Sequence, residues 1–137
     1  MNILIFGGNR YFGKEVVKNL VQKNNKIYLI NRGNLQNLKN KKIYHIKTDR
    51  KNLNKVINQI NNIYFDVVLD NSSYNILSVK KVFKLLGKNI GHYIYLSTIL
   101  SYLGLSYKNF VDERSWFKIK SLKNLKKNYN EGIIKYG

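Results

Sequence analysis

The stretch "GGNRYFG", Gly7 to Gly13, constrains this chain more than any other. It follows a short apolar run, "NILIF", and opens an amphipathic segment, "KEVVKNLVQK". A glycine-rich turn between a strand and a helix has position-specific physics. Gly7 permits a tight turn with unusual φ. Gly8 is expected to keep side-chain bulk away from a bound phosphate. Gly13 is expected to let the helix pack closely on the strand. The free N–H groups and the dipole at the helix N-terminus then favour an anion. In the spacing of a G-x-x-G-x-x-G motif, Arg10 stands where the middle glycine would be. The competing reading of the segment is a bare strand-to-helix turn with no ligand.

The rest of the chain repeats a strand-and-helix rhythm. Met1 to Phe6 reads as a buried parallel strand. Phe12, Val16, Val17, Leu20 and Val21 have helical spacing up to about Lys23. Ile27 to Ile30 is a second strand, "NLQNLKNKK" a short polar helix or loop, and "IYHI" a third strand leading into "KTDR". Leu53, Val56, Ile57 and Ile60 form another helical stripe. "FDVVLDNS" is a fourth strand, continuously apolar through Val67, Val68 and Leu69, as strands buried on both faces are. Val79, Val82, Phe83 and Leu86 mark a further helix with Gly87 as its C-cap, and "HYIYLST" a fifth strand. This alternation predicts an α/β fold: a Rossmann-like, doubly wound parallel sheet of about five strands in a single domain. A glycine turn after the first strand of such a sheet is where a dinucleotide pyrophosphate binds. From Tyr107 onward the periodicity fades into a basic, weakly structured tail.

Composition narrows the setting. The chain has 137 residues, enough for one core, and no apolar run near the roughly 18 residues a membrane helix needs. It carries no evident leader segment and no cysteine, so a disulfide framework is excluded and the cytoplasm is the expected location. The formal charge of +18 invites nucleic acid as a partner. The excess is nearly all Lys, scattered along the chain, and accompanied by abundant Asn and Ile with no Pro, a joint bias that points to compositional drift. A general steering of phosphorylated ligands is the third reading of that charge. His45 and His92 stand in separate strands without ligand spacing, so no metal site is expected.

The ordered set "ILIFGGNRYFG", "INRG", "TDR", "DVVLDNSSYN", "GHYIYLSTILSY" and "VDE" resembles the extended and atypical short-chain dehydrogenase/reductase proteins of the NAD-dependent epimerase/dehydratase family. Within it, the subgroup with a "GGTRFxG" turn is the most similar, and arginine replaces the middle glycine there as Arg10 does here. The resemblance covers the N-terminal, cofactor-binding part of such a protein. It implies a glycine loop of Gly7, Gly8, Asn9, Arg10, Tyr11, Phe12 and Gly13, with the amides of Tyr11 and Phe12 facing the pyrophosphate. The second strand ends in Asn31 and Arg32 and lacks the acidic residue that would bond the adenosine ribose. Arg10 and Arg32 suit a 2′-phosphate, so NADP is favoured slightly over NAD; a solvated loop arginine is the alternative for Arg32. Asp49, with Arg50 beside it, corresponds to the residue that holds the adenine amino group, or else caps the helix that follows. Asn71, Ser72 and Ser73 border the cofactor, or serve as turn and N-cap residues.

For catalysis the resemblance implies Thr98 as the hydroxyl that bonds the reacting group, the alternative being an ordinary strand-end hydroxyl. Tyr136, followed by Gly137, matches the start of the family's Tyr-x-x-x-Lys pair, but its lysine would lie beyond residue 137. Tyr129 is no substitute, because Ile133 stands at the lysine position. A tyrosine of pKa about 10 becomes a useful base near neutrality only beside a cation. The expectation is therefore a C-terminally truncated, inactive NAD(P)-binding module of an oxidoreductase whose intact relatives act on nucleotide-sugar-like substrates. The runner-up is an RNA-binding protein on the same scaffold. No membrane partner is expected.

Overall fold

The computed structural model describes residues 1–33, 38–73 and 76–96. Five strands, β1 (Asn2–Phe6), β2 (Lys26–Asn31), β3 (Ile43–Lys47), β4 (Phe65–Asp70) and β5 (Ile90–Tyr95), form one sheet in the order β3-β2-β1-β4-β5. Every pairing is parallel. Among the described residues the α-helices are α1 (Tyr11–Gln22) and α2 (Ile76–Leu86).

The strand residues alternate between two cores, which is why the sheet is covered on both faces. Ile3 and Ile5 of β1 join Ile27, Leu29 and Leu69 around Val17 of α1. Leu4 and Phe6 point the other way, to Phe65, Val68, and Val82 and Leu86 of α2. "NILIF" is thus the central strand, with Leu4, Ile5 and Phe6 fully buried, and its unbroken apolar character follows from having no solvent face. The chain runs outward from β1 through α1 to β2 and β3, then returns across β1 to β4. The carboxyl ends of β1 and β4 therefore flank the point where the winding reverses, the place where open α/β sheets present a crevice.

Two expectations fail. The stripe Leu53, Val56, Ile57 and Ile60 is not an α-helix but two 3₁₀ turns, Arg50–Lys55 and Ile57–Gln59. Leu53, Val56 and Ile60 are buried as expected, but Asn52 (φ −100°, ψ 21°) and Val56 (φ −118°, ψ 1°) leave helical geometry. Leu53 and Val56, three apart, fit the tighter 3₁₀ pitch, Ile60 follows only after the break at Val56, and Asn-rich sequence has little intrinsic drive to continue as α-helix. Gly87 is not a left-handed C-cap: its φ is not positive, and it opens a further 3₁₀ turn, Gly87–Asn89. The left-handed residue at the end of α1 is Asn24 (φ 61°), a residue type that tolerates that region. Thr98, Tyr136 and the basic tail from Tyr107 lie outside the described residues. Among the described residues no helix is long and apolar enough to cross a membrane.

Candidate functional site

The end of β1 delivers the chain into the glycine turn through two consecutive left-handed residues, Gly7 (φ 97°) and Gly8 (φ 88°). The amide of Gly7 still donates to the Ile30 carbonyl at 2.9 Å, so the turn begins while sheet pairing continues. The two glycines are needed for different reasons. A Cβ on Gly7 would collide with Oδ1 of Asn71. A Cβ on Gly8 would lie 2.6 Å from Cδ1 of Leu29 and 3.2 Å from Cγ2 of Val17. The Cβ direction of Gly8 thus faces the core between sheet and helix, so close packing is a second reason for glycine at a position that also lines the cleft. Gly13 is buried against Gly8, whose Cα would stand 2.9 Å from an added Cβ, and against Nδ2 of Asn71. The close approach at Gly13 is thus of the helix to the glycine turn and Asn71, where the sequence suggests an approach to the strand.

The N-terminus of α1 opens outward. Arg10 is its N-cap, extended at φ −130° and ψ 149°, and makes no side-chain cap hydrogen bond; the first turn holds no acidic residue. The first amides of a helix have no intrahelical acceptor, so this end is an uncompensated positive pole. Tyr11, 87% exposed, begins the helix at φ 45°, where a bulky side chain is strained. Residues in such conformations concentrate at binding sites, where the surroundings over-determine them.

An open cleft of about 650 Å³ lies over this turn. It brings together Gly7 to Gly13, Asn31, Arg32, Asp49, Arg50, Asn71 and Ser72, along with Gly33, Thr48, Lys51, Ser78 and Leu96. Asn31 shapes one wall: its Nδ2 donates to Oδ1 of Asn9 (3.1 Å) and its Oδ1 accepts from the Gly33 amide (2.8 Å). Asp49 is the N-cap of the first 3₁₀ turn, its Oδ1 accepting from the Lys51 amide at 2.8 Å. Ser73 is not in the lining; it is buried, with its Oγ 2.5 Å from Ser78 Oγ and its carbonyl accepting from Tyr95 Oη.

Arg50 has its guanidinium in the floor. Nη1 donates to Oδ1 of Asp70 at 2.6 Å, and Nη2 lies 2.5 Å from Oδ2. The same group donates to the Ser78 carbonyl (3.3 Å) and covers the Phe6 ring at 4.4 Å. Asp70 is fully buried and also accepts from the Tyr93 hydroxyl and the Ser72 amide. Burial and the hydrogen bond to Asp70 push the Tyr93 pKa up to about 12, so Tyr93 is a fixed donor, not a base. Sequence reasoning missed Asp70 and Tyr93. The available signal was a carboxylate ending the apolar run "VVL", since a charge on a strand buried on both faces needs a partner.

The arrangement can hold an anionic, extended ligand: amides and a helix pole at the centre, cations at Arg10 and Arg32, and a carboxylate at Asp49. No protein-family model matches the chain, and no curated protein matches it. Solved structures do. A short chain dehydrogenase family protein from Francisella tularensis is similar at 23% identity and TM-score 0.59, over 86% of this chain and 59% of its own. The Bordetella bronchiseptica enzyme WbmH, solved with NAD+, is similar at 16% identity and TM-score 0.65, over 96% of this chain and 52% of its own. dTDP-glucose 4,6-dehydratase from Bacillus anthracis, solved with NAD, is similar at 20% identity and TM-score 0.65, over 97% of this chain and 49% of its own. The likeness establishes the Rossmann-like fold. The chain spans about half the length of the structures it resembles.

Proposed function

We propose that the cleft over Gly7 to Gly13 binds a nicotinamide dinucleotide. The chain is then the cofactor-binding part of an epimerase/dehydratase-like oxidoreductase acting on a nucleotide-sugar-like substrate. One observation carries this reading: two consecutive positive-φ glycines feed an uncapped helix N-terminus at the β1–β4 reversal of the sheet. That combination aims backbone donors at one point of the cleft. The similarity to enzymes solved with NAD supports the choice of dinucleotide.

In this reading the pyrophosphate lies against the amides of Tyr11 and Phe12. Asn31 and Arg32, at the end of β2, face the adenosine ribose, and Asp49 the adenine. Arg10 and Arg32 favour a 2′-phosphate, hence NADP over NAD. Thr98 and Tyr136 are the proposed catalytic hydroxyls, by resemblance. The bound cofactor would supply hydride transfer; the residues described here bind and orient it.

Calorimetric titration of NADP and NAD against the wild type, Gly13→Val and the double variant Arg10→Ala/Arg32→Ala tests the reading. The wild type is expected to bind NADP more tightly than NAD. Gly13→Val is expected to bind neither. The double variant should lose the NADP advantage and keep its NAD affinity, which guards against a merely unfolded Gly13→Val. Absence of binding by the wild type, or equal binding by wild type and Gly13→Val, would refute the site.

A further inference from the structure

We infer that Lys47, at the end of β3, is a specificity-determining residue that selects a dinucleotide carrying a third phosphate. The inference rests on the cleft being a dinucleotide site. Lys47 pairs in register with Asn31, so the two side chains leave the same face of adjacent strands. Asn31 turns the chain at Gly33, which lines the cleft at φ 71°. Across the missing side chain of Gly33 runs the stem of Lys47: an added Cβ would lie 2.8 Å from its Cε, 2.9 Å from Cδ and 3.1 Å from Cγ. Gly33 therefore serves two purposes. It permits the left-handed turn, and it lets the Lys47 stem pack directly behind a residue of the cleft lining that is next in sequence to Arg32.

Charge balance points the same way. Arg10, Arg32 and Lys51 line the cleft and Lys47 packs behind Gly33 of the lining, yet among the described residues none of the four has an ion-pair partner. The Asp70 carboxylate is engaged by Arg50, so Asp49 is the remaining acid of the cleft, and one of its oxygens accepts from the Lys51 amide. A pyrophosphate seated on the helix pole leaves Arg32, and the Lys47 charge behind Gly33, uncompensated. A phosphate on the adenosine ribose, at the end of β2, is the ligand charge that falls there. An exposed lysine adds to an arginine what the planar fork lacks: a mobile point charge that follows a tetrahedral phosphate.

The experiment measures dissociation constants for NADP, NAD, 2′,5′-ADP and 5′-ADP on the wild type, Lys47→Met and Gly33→Val at one fixed ionic strength. Lys47→Met keeps the stem and removes the charge. Its NADP and 2′,5′-ADP affinities are expected to fall by about tenfold, as for one lost charge-assisted bond, while NAD and 5′-ADP change less than about twofold. Gly33→Val, which strains the left-handed turn as well as displacing the stem, is expected to weaken all four ligands, in contrast to the selective loss in Lys47→Met. An unchanged NADP-to-NAD ratio in Lys47→Met, with both cofactors binding the wild type, overturns the role of Lys47 and leaves the dinucleotide site standing. Failure of the wild type to bind any of the four ligands overturns both.

Discussion

Arg50 and Asp70 form a two-pronged ion pair under the glycine turn, with Nη1 2.6 Å from Oδ1 and Nη2 2.5 Å from Oδ2. The pair ties the loop after β3 to the end of β4, and through the Ser78 carbonyl to the first turn of α2. Asp70 is fully buried and the Arg50 side chain only 12% exposed. Removing one partner strands the other charge away from water. Arg50→Ala is therefore expected to destabilise the protein by about 3–5 kcal/mol, read as a lowered urea midpoint. A loss below about 1 kcal/mol would show that Asp70 is rehydrated or protonated without cost.

Such a pair is hard to read from sequence, because its members are 20 residues apart and no pattern encodes that meeting. The sheet was legible for the opposite reason. Burial on both faces forces unbroken apolar runs in β1 and β4, and their length and the glycine turn after β1 leave few other folds. The glycine loop follows from the strand-turn-helix pattern, and Arg32, Asp49 and Asn71 from the family resemblance alone; all of them line one cleft, where strand ends of such a sheet converge. The 3₁₀ turns at Arg50–Lys55 and Ile57–Gln59 were not: the spacing of Leu53, Val56 and Ile60 is that of an α-helix, and only the backbone at Asn52 and Val56 breaks it into two turns. Lys47 was passed over since nothing local tells which strand lysine lies across Gly33.

Gly8→Ala separates a packing role from a ligand role. The added Cβ would sit 2.6 Å from Leu29 Cδ1, at φ 88°, so both overpacking and backbone strain oppose it. Overpacking alone costs about 1–3 kcal/mol. Gly8→Ala is expected to lower the thermal midpoint whether or not a dinucleotide is present. A variant as stable as wild type but unable to bind would leave phosphate clearance as the role of Gly8.

Tyr93 predicts an alkaline limb in stability. Its pKa is raised from 10.0 to about 12, chiefly by burial and then by the Asp70 hydrogen bond. Above pH 10 the unfolded chain releases this proton while the folded chain retains it. The stabilisation is therefore complete below about pH 10 and lost as pH climbs through about 12. Chemical denaturation between those limits should show a steeper loss in wild type than in Tyr93→Phe. Parallel curves for the two proteins would show that Tyr93 titrates like an exposed phenol.

Asp49 has two oxygens, and the structure commits only one: Oδ1 accepts from the Lys51 amide and caps the 3₁₀ turn at Arg50–Lys55. The carboxylate also faces the cleft. Capping and ligand binding can be separated, because serine caps nearly as well as aspartate but brings no carboxylate. Asp49→Ala is expected to cost about 1 kcal/mol of stability. Asp49→Ser should recover most of that loss. If the remaining oxygen takes the adenine amino group, Asp49→Ser will still bind NADP and NAD several-fold more weakly, by roughly the 1.5–3 kcal/mol of a charge-assisted bond at most. Nicotinamide mononucleotide, which has no adenine, should be indifferent to the change. Urea melts of the three proteins, followed by titration of each with the two dinucleotides and the mononucleotide, measure both effects. Wild-type affinity in Asp49→Ser would leave Asp49 as a cap alone.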